Sequence, residues 1–527
     1  MTDTLAQNPF LQPFGTPHGT VPFDRIRTEH FEPAVREGIR RQLAEIDAIT
    51  ANPDEPTFAN TIEAYEHSGR LLSIVSNVFG NLHSAETNDE LDRLAETLMP
   101  LLSEHSNNIS LNPQLFERVK YVHEHTDRTS LTPEQQTLLE ETYRGFVRNG
   151  ADLQGEARDR YRALCQELSL LTLKFSENNL KETNDYQLVL TDPAQLAGLP
   201  DSAVEAAAET AREKGVEGWV FTLQAPSYVP FMKYADCRDL RHKLYLAYNT
   251  KCMHANDRNN LEIVRRIANA HLELARLLGY KCYADYNLEE HMAQDTAHVY
   301  QLLEQLLEAY TPTARQEVAE VEALARETEG ADFRLMPWDW SYYSQKLKDK
   351  KYRIDDEQLR PYFELDRVKE GIFGLANKLY GLTFRKNPDI PVYHKDVDAY
   401  EVFDRDGSYL AVLYADFHPR AGKRSGAWMT SYKGQWKDPQ TGEDSRPHVS
   451  IVMNFTKPTQ DKPALLTFGE VETFLHEFGH SLHGMLARST YESLSGTNVY
   501  WDFVELPSQF MENFAVQKDF LHTFARH

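Results

Sequence analysis

The chain has 527 residues, 80 acidic against 56 basic, giving a formal net charge of −24. So acidic a surface repels phosphate backbones and excludes nucleic acid as an expected partner. With 41% hydrophobic and 26% charged residues the composition is that of an ordinary globular protein, and the length calls for several domain-sized regions rather than one core.

The opening stretch MTDTLAQNPFLQPFG lacks a basic start followed by an apolar run, and no segment is long enough to span a bilayer. A cytoplasmic protein without a membrane partner is expected. Cys165, Cys237, Cys252 and Cys282 form no CxxC pair. That spacing fits neither a disulfide framework nor a thiolate zinc site, and predicts reduced thiols.

In chain order, most of the sequence reads as helix. HFEPAVREGIRRQLAEIDAI has apolar residues at helical spacing. In YRALCQELSLLTLKF, Leu164, Leu168, Leu171 and Phe175 fall on one face, and VYQLLEQLLEAY supplies Leu302, Leu303, Leu306 and Leu307. Both stripes are expected to pack in the core. The period changes between residues 381 and 456. YEVFDRDGSYLAVLYADF is two apolar runs about Asp406-Gly407, a hairpin signal, and HVSIVMNF is a third run. A small β-sheet is predicted here, followed by the loop TKPTQDKP. Three regions follow: 1–150, N-terminal and helical; 151–380, a helical lobe; and 381–527, with the sheet and the chemistry.

The chemistry begins at TFLHEFGHSLHG, residues 473–484. Residues four apart share a helix face, so His476 and His480 can present both imidazoles to one cation. Glu477, one position round, stands where a general base takes a proton from a metal-bound water. Thr467 is a predicted N-cap with Glu470 completing a capping box. Glu472, one turn before His476, is a candidate to hold that ring's second N–H. Leu486 occupies the position a third histidine takes in HExxHxxGxxH, and His483 is expected to pack or to support rather than to ligate. The third ligand is therefore sought in YWDFVELPSQFMENF, where Asp502, Glu505 and Glu512 are candidates. Pro507 places Glu505 near a helix start, a modest preference only.

These two stretches, with LLEETYRGFVRNGA, PWDWSYYSQK and LRPYFELDRV, resemble the thimet oligopeptidase family of zinc metallopeptidases, closest to its dipeptidyl carboxypeptidase branch. The resemblance implies one Zn²⁺ held by His476, His480 and Glu505, with Glu477 as general base. It implies a mainly α, prolate, two-lobed zincin-type fold, with a deep central channel and the small sheet beside the active-site helix. In that fold, residues 151–380 line the channel. It also implies a monomer that hydrolyses short unfolded peptides, releasing C-terminal dipeptides; an endo-acting oligopeptidase is the alternative on the same scaffold. Ser495, Gly496 and Thr497 resemble the family's mobile loop over the cleft, and Asp502 is expected to support the ligands. The family's later His- and Gly/Tyr-rich substrate-binding stretch finds no match before His527. The C-terminal part of the catalytic region thus reads as missing, and an inactive or peptide-binding remnant is a further expectation. Arg420, Lys423 and Arg424 are candidates for a substrate carboxylate, or else solvated loop charges.

Overall fold

A computed structural model describes residues 7–438, 440–459 and 461–527. The first six residues of the opening stretch, and Gln460 within the loop TKPTQDKP, lie outside the described residues. Helices carry most of the chain, the longest being Gly155–Asp185 and Thr296–Glu329. Two short antiparallel ribbons, β1 (Leu188–Leu190) with β2 (Trp219–Phe221) and β7 (Trp436–Lys437) with β8 (Asp444–Ser445), have too few residues to show a period in sequence.

The predicted sheet lies within residues 381–456. Its strands are β3 (Thr383–Lys386), β4 (Val397–Phe403), β5 (Tyr409–Asp416), β6 (Trp428–Lys433) and β9 (His448–Val452), ordered β3-β4-β5-β9-β6. Asp406-Gly407 makes the β4–β5 turn, with Gly407 at φ +83° where a side chain would be strained. β5 and β9 run parallel, Val412 opposite His448, and the other pairs are antiparallel.

Alternation along the strands puts the sheet between two helical layers. Val397, Ala399, Val412 and Tyr414 face Val35, Val75, Phe79 and Leu98 of helices Phe31–Thr50, Arg70–Ala85 and Asp89–Ser110. Tyr400, Val402, Leu413 and Ile451 face Phe474, Phe478 and Leu482 of helix Phe468–Met485. Burial on both faces explains why β5 and β9 read as nearly unbroken apolar runs. The helix that carries both histidines therefore rests on a rigid floor.

A buried ion network fixes the far side of that floor. Asp416, at the end of β5, receives Arg420 Nη1 (2.8 Å) and Lys423 Nζ (2.7 Å), and Arg420 also reaches Glu86. Burial raises the Asp416 carboxyl, but the two cations outweigh it and its pKa lies below the ordinary value. Arg420 and Lys423 are thus neither solvated nor free for a substrate carboxylate. Arg424 sits 3.4 Å from His83 Nδ1.

The leucine stripe is a correction. Leu302, Leu303 and Leu307 are 57%, 53% and 68% exposed, and Phe175 is 40% exposed, whereas Leu164 is fully buried as expected. Helical periodicity shows which side chains share a face but not what covers it. Among the described residues no helix is long and apolar enough to cross a membrane.

Candidate metal centre

Helix Phe468–Met485 begins as its sequence dictates. Thr467 Oγ1 accepts from the Glu470 N–H (3.1 Å), and Glu470 Oε2 accepts from the Thr467 N–H (2.8 Å). That reciprocal cap satisfies two donors of the first turn. Two turns on, the His476 and His480 rings lie 4.9 Å apart at 82°.

The second helix, Glu505–Glu512, starts at the carboxylate sought as third ligand. Its approach depends on Gly479. A Cβ there would stand 2.6 Å from Ser508 Cα and 2.8 Å from the Pro507 carbonyl oxygen, closer than real atoms pack. With glycine, the backbones touch, and Glu505 Oε2 comes 3.1 Å from both His476 Nε2 and His480 Nε2. Ser508 Oγ donates to the same Oε2 at 2.7 Å and fixes the carboxylate's rotation.

His476 Nδ1 lies 2.6 Å from Glu512 Oε1. A carboxylate only accepts, so Nδ1 donates to Glu512, and Nε2 is the ring atom that faces Glu505. The Nε2 atoms of both histidines thus converge on one carboxylate oxygen at the same distance. His476, His480 and Glu505 offer ligand atoms all within 4.8 Å of one another. Such a set could hold one divalent cation.

Sequence pattern left the orienting acid to Glu472; the geometry gives that role to Glu512. Burial, and secondarily the charge of Glu512, push the Glu472 carboxyl above its ordinary pKa. Helical spacing relates only Glu472 to His476; Glu512 reaches the ring from the other helix, by tertiary contact alone. Asp502 is also elsewhere: its carboxylate accepts the Met292 (2.9 Å) and Ala293 (3.2 Å) N–H groups and ties the two segments together. Ser495, Gly496 and Thr497 form a seated turn. Ser495 Oγ donates to Gln435 Oε1 at 2.7 Å, and Gly496, at φ +60°, packs against Gly484 of the histidine helix.

Glu477 is 4% exposed, and its Oε2 has no hydrogen-bond partner. Burial pushes its carboxyl up to about 7, with His476 opposing and Glu505 adding to the rise. A buried carboxyl balanced near neutrality suits a group that takes and returns a proton.

A second group, His83, Asp92 and Glu177, also brings ligand atoms together. There the Arg424 guanidinium, which only donates, faces His83 Nδ1. His83 Nε2 lies 3.3 Å from Asp92 Oδ1 without forming a hydrogen bond, and the other Asp92 oxygen meets Lys181 (3.2 Å). The cations are already supplied by the protein, so that group is an ion-pair network rather than a metal site.

The model of Peptidase family M3 matches residues 231–527. The chain belongs to peptidase family M3. It is 38% identical over 523 residues to dipeptidyl carboxypeptidase of Escherichia coli (strain K12), covering 99% of this chain and 76% of the relative. It is 35% identical over 525 residues to oligopeptidase A of the same strain, with the same shares covered. The fold is similar to that of Pz peptidase A solved with an inhibitor, with a TM-score of 0.50 at 14% identity, over 95% of this chain and 71% of that one. As an M3 member the protein is a metallopeptidase, and the family implies a divalent metal.

Exchanging the two outer acids tests the orienting contact. Glu512→Gln is expected to weaken metal affinity about 10- to 100-fold, and Glu472→Gln to leave it unchanged, by competition with a chromophoric chelator. The opposite order would return the role to Glu472.

Proposed function

We propose that the protein is a zinc-dependent peptidase that removes dipeptides from the C-termini of short unfolded peptides, with His476, His480 and Glu505 as the ligands of one Zn²⁺ per chain. The observation that carries the reading is the common 3.1 Å distance of both histidine Nε2 atoms from Glu505 Oε2. Donor atoms bonded to one tetrahedral zinc at about 2.0–2.1 Å stand about 3.3 Å from each other, which the two Glu505 contacts match, with all three ligand atoms within 4.8 Å. When bound, the ion supplies Lewis acidity for the scissile carbonyl and acidifies a water.

The remaining chemistry belongs to the protein. The Glu477 carboxylate takes the proton of the attacking water and later delivers it to the leaving amine nitrogen. Its burial keeps bulk water from competing for that proton, and the shared helix fixes its position relative to His476. Glu512 accepts from His476 Nδ1 and so leaves Nε2 as the ring atom turned to the site. Ser508 keeps Glu505 turned towards the histidines.

A two-lobed body with a channel between residues 151–380 and the catalytic region would admit short peptides and reject folded proteins. A monomer in the cytoplasm completes the proposal. The relatives named dipeptidyl carboxypeptidase and oligopeptidase A support two modes of cleavage on one scaffold. They are separated by a matched pair of peptides, one with a free C-terminus and one amidated, followed by mass spectrometry. Successive loss of dipeptides from the free form alone is expected. Internal cleavage of both forms would replace the exo reading with the endo one.

A further inference from the structure

A cavity of about 1410 Å³ adjoins the segment that leads to Glu505: Tyr500, Trp501 and Phe503 form part of its wall. Three carboxylates, Glu66, Glu141 and Glu290, line it, and no lysine or arginine does so among the described residues. Two guanidiniums stand behind the wall. Arg144 Nη1 meets Glu141 Oε1 at 3.0 Å, and Arg148 Nε meets Glu290 Oε1 at 2.9 Å. Both are shared: Arg148 Nη1 also binds Glu289 (2.7 Å), and Arg144 lies 3.9 Å from Glu140. Among the described residues, Glu66 accepts one hydrogen bond, from the Ser493 N–H at 3.0 Å, and forms no ion pair.

The carboxylates are therefore incompletely neutralised. Burial raises the Glu141 carboxyl, Arg144 opposes, and the charges of Glu290 and Glu140 push it further up. A cation entering the cavity relieves that repulsion. A separate observation points the same way. His105, 5% exposed, lines the cavity, and its Nε2 lies 2.7 Å from Gln42 Oε1 while its Nδ1 has no partner. With the amide oxygen accepting from Nε2, Nδ1 is a spare acceptor, and burial lowers the ring's pKa. Tyr65 and Trp501 add aromatic surface, Trp501 being 77% exposed, and a ring face attracts ammonium and guanidinium groups.

We propose that this cavity binds the positively charged groups of the peptide, so that the protein selects short cationic peptides over neutral and acidic ones. The inference rests on the peptidase reading for its substrate class, and it assigns selectivity to Glu66, Glu141 and Trp501 rather than to the histidine helix. The shared chemistry is a substituted ammonium or guanidinium, from Lys or Arg side chains or from the α-amino group.

The test reads affinity rather than turnover, on full-length Glu477→Gln protein loaded with zinc, by fluorescence anisotropy. The probes are matched peptides rich in lysine, glutamine or glutamate, each N-acetylated or free. The lysine peptide is expected to bind about tenfold more tightly than its glutamine counterpart at low salt, with the gap closing as salt rises. Glu66→Gln and Glu141→Gln, checked for folding by circular dichroism, should each narrow the gap. Trp501→Ala, which removes a largely exposed ring, should narrow it without a folding penalty. A free amino terminus that tightens the glutamine peptide assigns the site to the α-ammonium as well; no such gain assigns it to side chains alone. Equal affinity for the three compositions, or a lysine preference unchanged in all three variants, overturns the proposal. Zinc content measured on the same samples keeps the two readings apart: zinc bound without cationic preference removes only this inference, and cationic preference without zinc removes only the metal assignment.

Discussion

Glu477→Gln is expected to bind metal as the parent does and to lose peptide hydrolysis by about 10²- to 10⁴-fold. The amide keeps the size of the side chain and cannot accept the water's proton. Among the described residues, the nearby acids are engaged: Glu505 Oε2 is shared by both histidines and Ser508, and Glu512 is occupied by His476. Equal hydrolysis by parent and variant at matched metal content would remove Glu477 from the reaction. The same substitution has a signature in the metal-free protein. A carboxyl raised to about 7 in the fold, from 4.5 when unfolded, favours the folded state fully below about pH 4.5 and loses that contribution as pH rises through about 7. The chelated parent should therefore lose stability over that window, and chelated Glu477→Gln should show a shallower slope in denaturant melts.

Gly479→Ala is expected to be nearly as damaging, by a different route. The new methyl would meet Ser508 Cα at 2.6 Å and the Pro507 carbonyl oxygen at 2.8 Å, and backbone cannot rotate away as a side chain can. The helices must part, at about 1–3 kcal/mol for the overpacking. That movement carries Glu505 away from His476 and His480. Metal affinity should fall steeply while helix content by circular dichroism is retained. Unchanged affinity would show that the Glu505 helix does not depend on this contact.

Much of this site was legible in sequence because it is local. The Thr467–Glu470 cap, the shared face of His476 and His480, and the placement of Glu477 between them all follow from helical geometry within a few residues. The hairpin at Asp406-Gly407 was readable for the same reason. What failed is what crosses between elements. Glu505 and Glu512 lie on one face of one helix, and spacing could not say which meets both histidines and which only the back of His476. Glu472 had equal local merit and lost to an acid that is remote in sequence. Arg420 and Lys423 looked like surface charges because Asp416, their buried counter-ion, sits at the end of a strand that reads as purely apolar. The leucines at 302–307 show the converse: amphipathic spacing was present, and burial did not follow. Family resemblance supplied the preference for Glu505 that periodicity withheld.

The central claim is that two imidazoles from one helix and one carboxylate from the next share a single ion. Metal content by mass spectrometry of purified parent and Glu505→Ala protein, after dialysis against trace zinc, tests it most directly. About one zinc per chain in the parent and strong depletion in the variant is the predicted result. Undiminished zinc in Glu505→Ala, with the fold intact, would contradict it.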